Sequence, residues 1–175
     1  MEPLPPLAWT CSGKCSPTII NNMRIAEHIA LNPISEATDA LPPVSELVVS
    51  GVPTGKRVRG AILEGAVEWD SFHLLFLTDD IPHEEMLRVA LLNAELDVVD
   101  EALIGGPYST GSFSSLELCE PDAVRFRFIG GTPWTVQLLS KRALRLPFIS
   151  EPRGVHRTFG FSRQFIVRGT PTREV

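Results

Sequence analysis

Between Ala123 and Ile129 apolar and polar residues alternate. Val124, Phe126 and Phe128 fall on one side, Arg125 and Arg127 on the other. A period of two is the mark of a strand with one buried face. Gly130-Gly131 turns the chain, and Trp134, Val136 and Leu138 then alternate with Thr135 and Gln137, which predicts an antiparallel partner. Phe72 to Leu77 is apolar except for His73 and reads as a buried strand. Met86 to Leu92 and Leu96 to Ile104, separated by Asn93-Ala94-Glu95, read as a hairpin, although Glu84 and Glu85 after Pro82 would also suit a helix start. Ala143 to Phe148 and Phe159 to Val167 supply two more strands.

The chain before Val58 reads differently. Pro3, Pro5, Pro6 and Pro17 keep the first residues extended. Ser16-Pro17 resembles a helix start, and Ile19, Met23, Ala26 and Ala30 recur at helical spacing, so a helix is predicted from Thr18 to Leu31, ended by Asn32-Pro33. Residues 32–57 form a connector with one short apolar run at Leu47-Val48-Val49. The expectation is a mainly β (α+β) fold: an antiparallel sandwich or barrel-like sheet of about eight strands with an N-terminal helix. Residues 1–57 would be a Pro-rich appendage and 58–175 a β-rich domain, unless the whole chain is one domain.

At 175 residues, with 43% hydrophobic and 21% charged residues, the chain is long and apolar enough to bury a core without metals or disulfides. No apolar run approaches the roughly 20 residues that span a bilayer. The N-terminus lacks the basic start and apolar core of a signal peptide, and three cysteines are an odd number for a secreted framework. These features predict a cytoplasmic protein with no membrane partner. A net charge of −5 argues against direct nucleic-acid binding.

Charge is unevenly spread. Residues 60–122 hold fourteen acids against the single base Arg88, and residues 123–175 hold ten bases against Glu151 and Glu174. Two arrangements are compatible with this split. Acidic and basic strands neighbour each other and cancel, or part of the acidic segment forms an uncompensated face for a basic partner.

Tests for chemistry turn up little. Asp79-Asp80-Ile81-Pro82-His83-Glu84-Glu85 is the densest titratable stretch, yet it matches neither an EF-hand loop nor a zinc-binding helix. Cys11 and Cys15, with His28 as a third donor, lack a fourth ligand, so no metal or other cofactor is expected. Gly106 to Gly111 has phosphate-loop spacing without the Lys, and Gly51 to Lys56 has the Lys at the wrong spacing. There is no Gly-x-Ser-x-Gly elbow, and only His28, His73, His83 and His156 could serve a triad as base. Arg125, Arg127, Arg163 and Arg168 form a stripe that could meet phosphate. The interleaved Phe126, Phe128, Phe161 and Phe165 instead favour a plain solvated outer face with a packed Phe core beneath it.

In general character (compact, soluble, acidic, charge-segregated, without an active-site motif) the chain resembles small bacterial toxin-immunity proteins. That resemblance implies a non-enzymatic module that binds one cognate toxin, with an acidic face imitating the phosphates a basic nuclease seeks. The residues expected to carry that face are Asp79, Asp80, Glu84, Glu85, Asp97, Asp100 and Glu101. The competing expectation is a small-molecule-binding or hydrolytic β-barrel with a pocket near Asp79, Asp80 and His83.

Overall fold

Leu74 and Phe76 point into one apolar cluster, and Leu75 and Leu77 into another. A strand with both faces dry belongs in the middle of three layers. The computed structural model describes residues 23–38, 41–81, 86–105, 111–129, 133–144, 151–157 and 160–169. In chain order its strands are β1 (Met23–Ile25), β2 (Ile29–Ser35), β3 (Val44–Val49), β4 (Val52–Arg59), β5 (Ile62–Trp69), β6 (Phe72–Thr78), β7 (Leu87–Leu92), β8 (Val98–Ile104), β9 (Ser114–Cys119), β10 (Ala123–Arg127), β11 (Pro133–Leu144), β12 (Val155–His156) and β13 (Ser162–Arg168).

These form a central six-stranded sheet, β1-β5-β6-β7-β8-β12, a four-stranded sheet, β13-β11-β10-β9, and a three-stranded sheet, β2-β3-β4. Every pairing is antiparallel. The first cluster fills the space between the six- and four-stranded sheets, where Phe76 meets Phe126 edge-on at 5.0 Å and Phe113 at 5.2 Å. The second cluster joins Leu75, Leu77, Ala90 and Leu92 of the central sheet to Ile29, Leu47 and Val58 of the three-stranded sheet.

The mainly β expectation holds, with thirteen strands among the described residues rather than about eight. The alternating pair at 123–138 is the β10–β11 hairpin, with Val124 opposite Val136 and Phe126 opposite Trp134. The run at 86–104 is the strand pair β7–β8. The predicted helix is corrected where it is described: 23–31 is β1, a turn and the start of β2, while 18–22 lie outside the described residues. The helix-like spacing of Met23, Ala26 and Ile29 has another cause. Met23 belongs to the first cluster, and Ala26 and Ile29 belong to the second, because the chain crosses from one interlayer to the other between them. The boundary expected at 57/58 falls inside β4, whose Val58 is buried in the second cluster.

Turn chemistry closes the hairpins. Ser50 and Gly51 both have positive φ, as a two-residue turn matched to strand twist requires. Gly60, at φ +135°, lies where a Cβ would come within 2.8 Å of Leu77 Cβ, so only glycine fits the entry to β5. Among the described residues no helix is long and apolar enough to cross a membrane.

Candidate functional site

The seven acids expected to form one face are dispersed. Glu84 and Glu85, with His83, lie outside the described residues. Asp79 and Asp80 follow β6 at one end of the central sheet, and Asp97 precedes β8 at the other. The six residues of β7 separate those ends, about 20 Å at strand rise. Asp100 and Glu101 are neighbours in sequence and point to opposite faces of β8. Asp100 bonds to β13 of the four-stranded sheet, whereas Glu101 meets Arg88 and Arg59 on the side of the three-stranded sheet.

Several of these acids are occupied internally. Arg88 is 5% exposed at its side chain and donates to Glu101 at 2.8 Å, with Asp79 3.9 Å from its other terminal nitrogen. Burial pushes the Asp79 carboxyl above its ordinary value, Arg88 pulls against that shift, and Glu101 adds to it. Asp97 pairs with Lys56 at 2.6 Å. Asp79, Asp97, Asp100 and Glu101 are therefore paired internally, but among the described residues only Arg157, the partner of Asp100, comes from the basic segment 123–175.

A different set of carboxylates converges at the Asp97 end. Register places Trp69 opposite Phe72 and His73 opposite Leu92, so the turn Asp70-Ser71 and the turn 93–97 leave the central sheet side by side. The indole N–H of Trp69 donates to the Pro121 carbonyl at 3.0 Å and ties the β9–β10 turn, Glu120 to Asp122, to the same end. Asp70, Glu95 and Glu120 are exposed there, and Asp122 is half-buried. Among the described residues none of these four has an ion-pair partner. Asp122 accepts a hydrogen bond from Gln137 at 3.3 Å. Asn93 Oδ1 accepts from the Asp97 amide at 2.8 Å and fixes the 93–97 turn.

Beside these turns lies an open depression of about 530 Å³ lined by Arg24, Glu68, Asp70 and Ser71. Arg24, Glu68 and His73 form a cross-strand row over β1, β5 and β6. Arg24 Nε donates to Glu68, and His28 Nε2 lies 3.1 Å from the other carboxylate oxygen. The Arg24 bond holds the Glu68 carboxyl below its ordinary value, against burial. Burial pushes His73 below its ordinary value, and its Nδ1 has no hydrogen-bond partner. His73 is thus half-buried in a polar row, where the sequence suggested a packed core position. Glu68 is thus an ionised carboxylate whose counter-charge is supplied from within the chain by Arg24.

Of this end the sequence reading named only Asp97. Each turn acid was visible as an acid beside a turn signal, but nothing local indicates that three turns from two sheets meet. Among the described residues no group of His, Cys, Asp and Glu has the arrangement of a metal site. Cys11 and Cys15 lie outside the described residues, and Cys119 is a free thiol. Compared with protein-family models, curated proteins and solved structures, the chain has no significant match in any of the three.

Proposed function

We propose that this chain is a non-enzymatic binding protein that presents the acidic end of its central sheet to a basic protein partner. The observation that carries the reading is the convergence of the turns at 70–71, 93–97 and 120–122, which places unpaired carboxylates around an open depression. Like-signed groups on a rigid scaffold steer association and set specificity more than they add raw affinity. Asp70, which lines the depression without an ion-pair partner among the described residues, suits a lysine or arginine side chain of the partner, whereas Glu68 is already held by Arg24. The resemblance to toxin-immunity proteins fits this surface: carboxylates spaced over a rigid end imitate phosphates and would occlude the cationic cleft of a basic nuclease toxin in the cytoplasm.

The test is affinity capture from producing cells at low and high salt, with the triple variant Asp70→Lys, Glu95→Lys, Glu120→Lys as control. The reading expects one stoichiometric basic protein that is retained by the wild type at low salt, released at high salt and absent from the variant. Equal retention by both proteins would move the interface elsewhere.

A further inference from the structure

The four-stranded sheet has an outer face of opposite sign. Glu117, Arg125, Thr135 and Arg168 stand opposite one another across β9, β10, β11 and β13, forming a single cross-strand row. Arg127 lies two residues beyond Arg125 on the same face. Arg125, Arg127 and Arg168 are exposed, while Val124, Phe126, Val136 and Val167 beneath them are buried. Among the described residues Arg125 and Arg127 have no ion-pair partner, and Arg168 donates only to Gln137 at 3.3 Å. Arg163 is not part of this face. It sits an odd number of residues from Arg168, on the inner side, with its guanidinium 3.9 Å from Glu151.

We propose that this face is a second interaction surface, and that it takes an acidic polypeptide segment. The guanidinium fork binds a carboxylate through two parallel hydrogen bonds, and every cation in the row is arginine. Arg125 and Arg127 are about 7 Å apart along the strand, the same repeat at which an extended peptide presents every second side chain. Thr135 and Gln137 place polar groups between Arg125 and Arg168, so the surface between the arginines stays wet and polar. A bulge farther along β11 exposes two more bases. From Leu138 to Ala143 β11 advances five residues while β13 advances two from Phe165 to Arg163, and the looped-out stretch exposes Lys141 and Arg142. A single-stranded nucleic acid fits less well. The described row carries no aromatic ring on which a base could stack.

This face adjoins the acidic end, since Gln137 accepts from Arg168 and donates to Asp122, so the two surfaces are separated by variants of each. The probes are a fluorescein-labelled oligo-glutamate peptide and a labelled oligothymidylate of equal length, each titrated with full-length protein and followed by fluorescence anisotropy. The peptide is expected to bind at low salt and to weaken about tenfold or more in Arg125→Glu, Arg127→Glu. Arg125→Lys, Arg127→Lys should fall between the two, because charge remains and the fork is lost. The triple charge reversal at the acidic end should leave peptide binding at least as tight. Unchanged binding in Arg125→Glu, Arg127→Glu, tighter binding of the oligothymidylate, or no peptide binding at low salt would each overturn the proposal. Matching thermal unfolding curves exclude misfolding, since both arginines are exposed.

Discussion

Asp100 Oδ1 accepts from Arg157 Nη1 at 2.7 Å, and the two side chains are 9% and 2% exposed. The other Asp100 oxygen accepts from the backbone N–H groups of Gln164 and Phe165, at 2.7 and 3.3 Å. Arg157 Nη2 donates to the Phe165 carbonyl at 2.9 Å, and its guanidinium lies 4.1 Å from the Phe165 ring centre. One ion pair from the central sheet thus occupies the open edge of β13, where unpaired backbone groups would otherwise invite another strand. Glu151 stands 2.9 Å from Arg157 Nε but out of line for a hydrogen bond, so Asp100 is the acid that satisfies Arg157.

Removing Asp100 takes away the acid that hydrogen-bonds Arg157 and leaves the Gln164 and Phe165 N–H groups without that acceptor, with Glu151 as the remaining charge beside Arg157. Asp100→Ala is expected to cost about 3–5 kcal/mol in urea unfolding. Asp100→Ala with Arg157→Leu should recover part of that loss. A single variant within 1 kcal/mol of wild type, on the order of an exposed pair, would show that the edge is held by packing alone.

Gly60→Ala is expected to destabilise by about 2 kcal/mol or more. It forces a side chain into a positive-φ conformation and against Leu77 Cβ. Gly55, at φ +75° and so nearer the left-handed region that other residues can enter, has open space around it, and Gly55→Ala gives a lower bound on the backbone part of the cost. Thermal melts of the two variants side by side check this. Equal losses would mean the contact with Leu77 relaxes without cost.

Asp79 gives a pH signature of known sign. Its folded carboxyl binds a proton more readily than in the unfolded chain, so ionising it opposes folding. The penalty is fully present above its raised folded value and is relieved as pH falls through that value. Asp79→Asn should therefore raise the melting temperature at pH 7, and the gain should shrink under acid conditions where the wild-type carboxyl is already neutral. A lower melting temperature for the variant at pH 7 would show that the attraction to Arg88 outweighs burial.

His73 carries the opposite experiment. Burial lowers its folded value, so protons bind the unfolded chain first as pH drops below about 6.5. Stability should decline from about pH 7.5 to 5.5, and His73→Gln should flatten part of that slope. An unchanged slope would assign the decline to other groups.

What the sequence disclosed follows the geometry of burial. β10 and β11 bury one face each, so their alternation was legible residue by residue. β6 and β7 bury both faces, which showed as apolar runs interrupted only by His73 and Arg88 but did not indicate a third sheet on the far side. The strands that build that sheet carry exposed Pro33, Pro53 and Gly55, and they read as connector. Asp100 and Glu101 were visible as strand acids, but their partners stand 57 and 13 residues away, and only topology brings them together. The acidic end was hidden for the same reason: Trp69 and Pro121, which join its turns, are 52 residues apart.

The most direct test of the central claim is the association rate of the captured basic partner, measured against ionic strength for three proteins. These are the wild type, the triple reversal Asp70→Lys, Glu95→Lys, Glu120→Lys, and the opposite-end reversal Asp80→Lys. Steering by the acidic end predicts that the triple reversal slows association about tenfold or more at low salt, with the difference fading as salt screens it. The opposite-end variant should stay within about twofold of wild type. Slowing confined to the Asp80→Lys variant would contradict the account and return the interface to the acids first singled out in the sequence.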